Sequence, residues 1–315
     1  MNSRPEAERT SLILVSGHTF GAHAFAGIFS ARAYLDQQIE VALMIGLDAA
    51  HASATVGYQS LEPLAAEHGV PYIGTSDGRL TSLADQIRAA APAYLLVIGW
   101  SHLIPDEVLS IPATCAGRGA AVAGEFGCIG MHPTKLPLGR GQAPIPWTII
   151  KGCDRTALSV FFLESGADTG PVIAQYDLEV HRRETAASLF HRLAHVHFTA
   201  GRDLAQGLGR RQITAQAQDP ATATRWPKRR PKDGEIHPTM TCQEIDSLVR
   251  ALLGPYPRAF INFGGNQVSV RAVEFESAAA GATGDGPEAV GADRIRFPCR
   301  DGVVQLLRQK AADAR

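Results

Sequence analysis

Short apolar runs alternate with helix-like segments through the first third of the chain, and this alternation restricts the fold more than any other feature. The apolar runs are Leu12–Ser16, Val41–Ile45, Val70–Ile73 and Tyr94–Ile98. One of the helical segments ends at His68 and is followed by Gly69, a residue suited to the end of a helix. Apolar strands separated by helices are typical of a sheet that is covered on both faces. The pattern therefore predicts an α/β domain built on a parallel sheet.

The composition indicates a globular chain of roughly two domains without a strongly charged surface. The sequence has 315 residues, of which 45% are hydrophobic and 19% charged, and its formal net charge is −1. This balance gives no sequence-wide electrostatic argument for binding nucleic acid. No uninterrupted apolar run is long enough to span a membrane, so we expect no membrane partner. Residues 1–10 are polar and lack the apolar core of a signal peptide, which predicts a cytoplasmic protein.

A change of composition near residue 209 predicts a boundary between two domains, because the segment that follows is rich in Gln, Ala, Thr and Pro. The predicted division is a first domain at 1–208, a linker at 209–233 and a second domain at 234–315. In the second domain a helix is expected from Cys242, with Thr241 as its N-cap. Gly264-Gly265 and Asp301-Gly302 are typical of hairpin turns between short strands. The second domain is therefore predicted to be small and mostly β.

The spacing of cysteines and histidines predicts no metal site. The five cysteines are scattered, and no two of them form a C-x-x-C pair, so neither a disulfide framework nor a zinc knuckle is expected. We expect buried free thiols instead. His191 and His195 have the i, i+4 spacing of metal ligands on a helix, but they point largely away from its apolar face. A solvated helix face is the better interpretation of these two histidines.

The segment between residues 126 and 175 carries the side chains best suited to catalysis. His132 directly follows an apolar strand, which places its imidazole at a strand end, where open α/β sheets bind ligands. Asp168 follows a second apolar run, Ser159–Leu163. Between them, Leu136–Gly141 contains a proline and two glycines, so its backbone can approach a ligand closely. We expect His132 and Asp168 to lie at neighbouring strand ends and to form a general acid/base pair.

These residues belong to a longer pattern, H-P-x-x-L-P-x-x-R-G-x-A-P-I-x-W-x-I-x-x-G, which begins at His132 and is followed by G-x-D-T-G from Gly166. The pattern resembles the formyltransferase family that uses 10-formyltetrahydrofolate, which includes methionyl-tRNA formyltransferases and sugar-nucleotide N-formyltransferases. Residues 98–109, 230–236 and 255–260 are also similar to this family, so the resemblance covers roughly residues 10–310. It implies a Rossmann-like formyltransferase domain followed by a smaller, OB-like, mostly β C-terminal domain.

The resemblance also implies a reaction and a set of site residues. A formyl group would pass from N10 of the folate to a substrate amine, which calls for a base and for a hydrogen-bond donor to the formyl oxygen. His132 would be the general acid/base, and Asp168 would hold the imidazole and stabilise its charged form. The predicted folate-binding residues are Ile98, Gly99, Trp100, Thr134, Lys135, Leu136, Pro137, Gln142, Glu164, Ser165, Gly166 and Ala167. No metal is implied.

Gly130 departs from the family pattern, which has an asparagine two residues before the catalytic histidine. The asparagine side chain helps to stabilise the oxyanion, and glycine cannot. Another donor would then have to act, and the candidates are Ser101, Thr134, a backbone N–H group and protonated His132. Two alternatives remain open: a slow enzyme, or a folate-binding protein that has lost catalysis. Gln142 is a second departure, because some sugar-modifying relatives have arginine there.

The acceptor is less restricted by the sequence than the donor. Lys228–Lys232 is the one dense basic run, and it suits a solvated linker, a small phosphorylated substrate or tRNA. The near-zero net charge and the form of this run favour a small-molecule amine, with a nucleotide-linked amino sugar as the leading class. Methionyl-tRNA is the alternative acceptor, and the sequence is compatible with a homodimer.

Overall fold

The computed structural model describes residues 9–115, 126–276 and 286–309. Most of the polar N-terminal stretch considered above lies outside these ranges. The described residues fall into two compact units. The first lies within Met1–Gly141, Ala157–Leu178 and His191–Arg225, and the second within Gln142–Thr156, Glu179–Phe190 and Trp226–Arg315. This grouping follows compactness alone, and the division at residues 209 and 234 stays a prediction.

A sheet in the order β3-β2-β1-β4-β5-β7-β8 forms the centre of the first unit. Its strands are β1 (Thr10–Val15), β2 (Ile39–Leu47), β3 (Tyr72–Thr75), β4 (Tyr94–Ile98), β5 (Gly127–His132), β7 (Arg155–Phe162) and β8 (Val172–Glu179). Every residue of β4 and β5 is buried, as their apolar sequences require. The short strands β6 (Arg140–Gly141) and β9 (Arg225–Trp226) lie outside this sheet.

The sheet is mixed, and the expectation of a wholly parallel sheet was wrong in this respect. Strands β1 to β5 pair in parallel, but β5 and β7 are antiparallel, with His132 opposite Ser159 and Ile129 opposite Phe162. A fully buried strand is apolar along its whole length, so its composition is the same for either direction of the chain. The α/β class and the Rossmann-like order of the strands are confirmed.

Helices of the first unit pack closely against one another. The α-helices that lie wholly or mostly in the described part of this unit are α1 (Thr19–Ser30), α2 (Arg32–Leu35), α3 (Glu62–Glu67), α4 (Ala84–Ala89), α5 (Asp106–Leu109), α6 (Ile111–Cys115) and α8 (Ala186–Gly209). A Cβ on Gly27 would lie 2.1 Å from the Phe198 carbonyl oxygen, and a Cβ on Gly201 would lie 2.0 Å from that of Ala24. Only glycine at these positions allows the backbones of α1 and α8 to approach this closely.

His197 is buried between these two helices. Its side chain is 1% exposed, its Nδ1 lies 2.7 Å from the Leu193 carbonyl oxygen, and its ring stacks on Phe20 at 4.2 Å. Burial is the main reason that the pKa of His197 is lowered to about 3; the hydrogen bond to Leu193 opposes this shift, and His18 and His23 add to it. Burial also lowers the pKa of His18, the N-cap of α1, to about 4. Both imidazoles are therefore neutral in the folded protein at neutral pH.

The described part of the second unit is built on an antiparallel sheet with α-helices beside it. The sheet order is β10-β11-β14-β13-β12, with β10 (Phe260–Phe263), β11 (Asn266–Phe275), β12 (Glu288–Ala289), β13 (Arg294–Cys299) and β14 (Gly302–Arg308). The helices are α7 (Pro144–Ile150) and α9 (Cys242–Ala251), and apolar residues of α9 pack against the sheet. The small, mostly β C-terminal domain is confirmed.

The local signals of this unit also predict its structure well. Thr241 caps α9, and its hydroxyl accepts the backbone N–H of Glu244, whose carboxylate in turn accepts the N–H of Thr241. Gly264 and Gly265 have φ values of 59° and 76° and join β10 to β11. Within the described ranges, no helix combines the length and the apolar character needed to cross a bilayer.

We expect the stability of the protein to fall as the pH is lowered from about 6.5 towards 4. The unfolded state binds protons at His197 near pH 6.5, whereas the folded state excludes them until a lower pH, so acid favours unfolding by roughly 1.4 kcal/mol per pH unit for this group. His197→Phe should therefore lose less stability than the wild type over this range, measured by urea unfolding at pH 7.5, 6 and 5.

His237→Phe, which changes a mainly exposed histidine, should retain the wild-type pH dependence. Equal pH slopes for His197→Phe and the wild type would contradict this origin of acid sensitivity.

Candidate active site

His132 lies at the end of β5, next to the end of β4. In the parallel pair β4–β5, Ile98 lies opposite Met131, so the chain leaves both strands at the same edge of the sheet. His132 is 7% exposed. The imidazole thus lies at the end of a buried strand, as the sequence predicts. Ile98, one of the predicted folate-binding residues, is the last residue of the neighbouring strand β4, which is buried along its whole length.

The two imidazole nitrogens of His132 have different surroundings. Nε2 lies 2.9 Å from the carbonyl oxygen of Gly139, and Nδ1 lies 3.8 Å from Oδ2 of Asp168. A carbonyl oxygen only accepts hydrogen bonds, so Nε2 must carry a proton and donate it. In the neutral ring Nδ1 therefore has a lone pair, and it is the nitrogen that can take up a proton beside a carboxylate.

Asp168 reaches His132 by a different route from the one expected. Because β7 is antiparallel to β5, its last residue, Phe162, lies opposite Ile129 rather than beside His132. The chain after β7 turns back along the sheet and brings Asp168 to the histidine. The two residues are thus close, but they do not lie at neighbouring strand ends, and that part of the prediction was wrong.

Two backbone features make this return possible. Asp168 has φ of 57°, a left-handed conformation that aspartate tolerates better than most residues. A Cβ on Gly170 would lie 1.9 Å from the carbonyl oxygen of Phe162, so the chain passes where only glycine fits. Asp168 Oδ2 accepts the backbone N–H of Gly141 at 2.8 Å, which fixes the carboxylate next to the imidazole.

Gln218 and Thr224 hold the loops on both sides of the histidine, although both fall in the segment predicted as a linker. The amide nitrogen of Gln218 donates to the carbonyl oxygens of Asp168 and Gly170 at 2.9 and 2.7 Å. Its amide oxygen accepts from the guanidinium of Arg140 at 2.8 Å. Thr224 Oγ1 accepts the N–H of Gly139 at 2.8 Å. The sequence analysis did not identify these residues, because an isolated Gln or Thr in a polar segment has no feature that marks it as functional.

Four of the predicted folate-binding residues form the turn Thr134–Pro137. Its backbone is held by hydrogen bonds from side chains of β7 and β8. Ser159 Oγ donates to the Thr134 carbonyl at 2.7 Å and accepts the N–H of Leu136 at 3.1 Å. Gln175 donates to the Leu136 carbonyl at 2.8 Å. Sequence reasoning missed Ser159 and Gln175 as well, since a polar residue inside a strand looks the same whether or not it supports a turn.

The side chains of this turn are themselves already engaged. Thr134 is 2% exposed, and its hydroxyl donates to the Gly139 carbonyl at 3.4 Å. The exposed side chain of Lys135 lies 2.9 Å from Asp177 Oδ1. Leu136 is buried and Pro137 half-buried. The Thr134 hydroxyl is thus directed to a backbone carbonyl rather than towards His132 Nδ1.

Gly130 does not leave an empty space on the face of β5. It shares that face with His132, because side chains two apart on a strand point the same way. A Cβ on Gly130 would lie 2.7 Å from Cδ2 of Leu163, so a larger residue there requires the end of the Leu163 side chain to move.

The remaining predicted folate residues lie on exposed or half-buried loops. Gly99 has φ of 63°, and a Cβ there would lie 2.7 Å from that of His18. Glu164 and Ser165 are exposed, whereas Gly166 and Ala167 are half-buried. Gln142 lies in the second unit, with an exposed side chain and a backbone N–H that donates to the Trp226 carbonyl at 3.2 Å.

Trp100 lines a cavity of about 290 Å³ in the first unit. The other lining residues are Arg79, Leu80, Thr81, His102, Leu103, Ile104 and Pro105, so this cavity is not bounded by His132 or Asp168. The Trp100 indole N–H is buried and has no hydrogen-bond partner among the described residues. A buried donor of this kind suits a ligand that brings an acceptor atom.

Comparison with known families identifies the whole architecture. A model of the formyl transferase family matches residues 21–200, and a model of the formyl transferase C-terminal domain matches residues 228–315. Among solved structures, an N-formyltransferase from Helicobacter canadensis in complex with folinic acid and dTDP-3-aminofucose superposes with a TM-score of 0.67 at 14% identity, covering 96% of this chain and all of that one. A methionyl-tRNA formyltransferase from Clostridium thermocellum gives 0.57 at 20% identity, covering 95% and 100%. At these identities the likeness concerns the fold.

Curated relatives are similar in sequence as well. The methionyl-tRNA formyltransferase of Desulfotalea psychrophila is 31% identical over 62% of this chain, and the match spans only 57% of that protein. The methionyl-tRNA formyltransferase of Geotalea uraniireducens is 28% identical over 79% of this chain and 76% of its own length. The N-terminal family model alone covers more than half of the sequence, and the chain therefore belongs to the formyl transferase family of transferase enzymes.

Proposed function

We propose that this protein is an N-formyltransferase that moves a formyl group from 10-formyltetrahydrofolate to the amine of a small molecule, and that the acceptor is a nucleotide-linked amino sugar. The observation that carries the chemistry is the fixed pair of His132 and Asp168. With Nε2 committed to Gly139, the unprotonated Nδ1 is left as a base 3.8 Å from a carboxylate. A base held beside a negative charge is what deprotonation of an attacking amine requires.

The donor is proposed to bind along the loop Glu164–Ala167 and the turn Thr134–Pro137. This turn is held in a fixed shape by Ser159 and Gln175, so a ligand that packs against it meets an ordered surface. The indole N–H of Trp100, which is buried and has no partner in the part of the chain that the structure describes, suits the acceptor atoms of a folate. When bound, 10-formyltetrahydrofolate supplies the formyl group, and the protein supplies the proton transfers.

His132 performs those proton transfers at Nδ1. It accepts the proton that the amine loses as the new C–N bond forms, and Asp168 stabilises the imidazolium. It then gives the same proton to the folate nitrogen when the old C–N bond breaks. Between these steps the Nδ1–H is a donor to the formyl oxygen, where negative charge develops. With the Thr134 hydroxyl directed to Gly139 and no side chain on Gly130, the imidazolium is the donor we assign to that oxygen.

A small acceptor is favoured by the charges of the second unit. Phosphate backbones bind surfaces on which cations are in excess and unpaired. Here, basic residues of the described part of this unit exceed the acidic ones by three, but about half of the basic side chains are held in ion pairs. Ion pairs of this unit include Arg155–Glu179, Arg183–Asp246, Arg250–Asp246, Arg271–Asp293, Arg294–Glu274, Arg296–Glu276 and Arg300–Glu244. Within the basic run, Arg229 lies over the Trp147 ring at 5.1 Å.

The alternative acceptor is methionyl-tRNA, and it is favoured by the names of the curated relatives at 28–31% identity. A third alternative, folate binding without transfer, is motivated by Gly130. The three are separated by incubating the protein with 10-formyltetrahydrofolate and, in turn, a nucleoside-diphosphate amino sugar, methionyl-tRNA and free methionine.

We expect a mass increase of one formyl group on the amino sugar, together with release of tetrahydrofolate. Formylation of methionyl-tRNA alone would replace the proposed acceptor but keep the chemistry. Release of tetrahydrofolate without an acylated amine would show hydrolysis only. The absence of both products would support folate binding without transfer.

His132→Ala should lower turnover by about 10²–10⁴-fold, the usual contribution of a general acid/base. Asp168→Asn should lower it through loss of charge alone, because the amide oxygen can still accept the Gly141 N–H. Turnover and thermal unfolding are measured side by side, and both variants should unfold near the wild-type temperature. His237→Ala, a mainly exposed histidine, serves as the control and should keep full activity. Unchanged turnover in His132→Ala removes this residue from the mechanism.

Gln218→Ala should lower kcat by about 10-fold or more while leaving the KM of the acceptor nearly unchanged, because the side chain positions Asp168 and does not contact substrate. Gln216→Ala is a matched control two residues away, with an exposed side chain and a bridge to Val172 made by its backbone. If Gln218 had only a general structural role, Gln218→Ala would instead have a lower unfolding temperature, and its kcat would not fall selectively while its KM stayed the same.

Gly130→Asn alone should give no gain in rate, since the new side chain meets Leu163. In a Leu163→Ala background the asparagine has room, and we expect a rate at least about 10-fold above that of Leu163→Ala alone, because one oxyanion donor typically contributes ~10²–10³. Single-turnover rates of the three variants test this, and a double variant no faster than Leu163→Ala would contradict it.

A further inference from the structure

Two cysteines and an aspartate that are distant in sequence meet in the second unit. Cys242 is the first residue of α9, Cys299 is the last residue of β13, and Asp301 lies in the turn to β14. The two Sγ atoms are 3.1 Å apart, and one ligand atom from each of the three residues lies within 4.8 Å of the others. Within the described residues, no other group of three His, Cys, Asp or Glu side chains converges in this way.

The backbone holds these three side chains in place. The N–H of Cys242 donates to Asp301 Oδ1 at 2.7 Å, which ties the first turn of α9 to the β13–β14 turn. Cys299 pairs with Gly302 across the hairpin, and its thiol lies 3.3 Å from the Gly302 carbonyl oxygen. Gly302 leaves room for the helix, because a Cβ there would lie 3.2 Å from Cys242 Sγ. The cluster is therefore set by a capped helix and a tight turn.

The donor set has the chemistry of a zinc site. Thiolate sulfur together with carboxylate oxygen is a ligand combination that Zn²⁺ accepts, at about 2.3 Å for sulfur. Two sulfurs bound to one tetrahedral zinc lie roughly 3.7 Å apart. Cys242 and Cys299 would therefore need to separate by only about half an ångström. Asp301 Oδ1 is engaged by the Cys242 N–H, and its second oxygen remains to bind the metal.

The surroundings also accept a cation. The two cysteines are half-buried and Asp301 is exposed, so an ion can enter from solvent. Arg300, the cation next to the cluster in the chain, faces Glu244 with a distance of 3.4 Å between Nη2 and Oε2. Its charge is therefore matched by a carboxylate outside the ligand set.

We propose that Cys242, Cys299 and Asp301 bind one Zn²⁺ ion, with a water molecule as the fourth ligand. The ion ties the N-terminus of α9 to the β13–β14 turn and stabilises the second unit. It takes no part in formyl transfer, and the proposal does not depend on the acceptor or on the activity.

The test uses the full-length protein, kept reduced, freed of metal with a chelator and titrated with Co²⁺ and then Zn²⁺. Thiolate ligation of Co²⁺ gives near-ultraviolet charge-transfer absorption, and Zn²⁺ should displace it at one equivalent per chain. Cys242→Ser and Cys299→Ser should each weaken Zn²⁺ binding at least about 100-fold, beyond the ~10–100-fold typical of residues that only support a ligand. Cys115→Ser, which changes an exposed cysteine outside the cluster, is the matched control and should bind as the wild type does.

Thermal unfolding of the metal-free proteins shows whether each variant folds. Asp301→Asn is a milder change to the ligand set, because the amide oxygen can still accept the Cys242 N–H. Zn²⁺ should raise the unfolding temperature of the wild type and of Cys115→Ser, but not of the cysteine variants. The proposal is overturned by the absence of a charge-transfer band, by binding that persists in Cys242→Ser, or by a Cys242–Cys299 disulfide found by peptide mapping of the protein as isolated, before any reductant is added.

Discussion

The hydrogen bond from His132 Nε2 to the carbonyl of Gly139 governs the chemistry available to the site. It decides which nitrogen of the imidazole carries the proton at rest and which can receive one. The surrounding hydrogen bonds hold either the Gly139 carbonyl or the Asp168 carboxylate, which lies on the Nδ1 side of the ring. Thr224 accepts the N–H of Gly139, and Asp168 accepts the N–H of Gly141. Gln218 donates to the carbonyl oxygens of Asp168 and Gly170, and so holds the chain that carries the carboxylate.

The path of the chain after β7 follows from the same requirement. An antiparallel β7 ends beside Ile129, away from the histidine end of β5, so the carboxylate can reach the imidazole only if the chain turns back. The left-handed backbone of Asp168 and the absence of a side chain on Gly170 allow that return. The two end residues of the D-T-G motif therefore have different roles. The aspartate supplies the carboxylate next to the imidazole, and the glycine leaves the space that the returning chain needs.

Local patterns in the sequence predict the class of fold, whereas the pairing of His132 with Asp168 was expected chiefly from the resemblance to the formyltransferase family. Apolar runs indicate buried strands, Thr241 and the paired glycines indicate a cap and a turn, and His132 follows its strand directly. Strand direction, the return of Asp168 and the contacts of Gln218 depend on where distant segments meet, and no local pattern carries that information. Leu163 beside Gly130 and the Cys242–Cys299 cluster were missed for the same reason, since these cysteines are 57 residues apart.

The hydrogen bond to Gly139 assigns the proton of the neutral His132 ring to Nε2, and the proposed mechanism uses Nδ1 as the base. The ¹⁵N chemical shifts of the imidazole test this tautomer directly. Protein labelled with ¹⁵N-histidine is compared with His132→Ala to assign the two signals. We expect a protonated Nε2 and an unprotonated Nδ1 at the pH where the ring is neutral. The opposite tautomer, with the proton on Nδ1, would contradict the assignment of Nδ1 as the base.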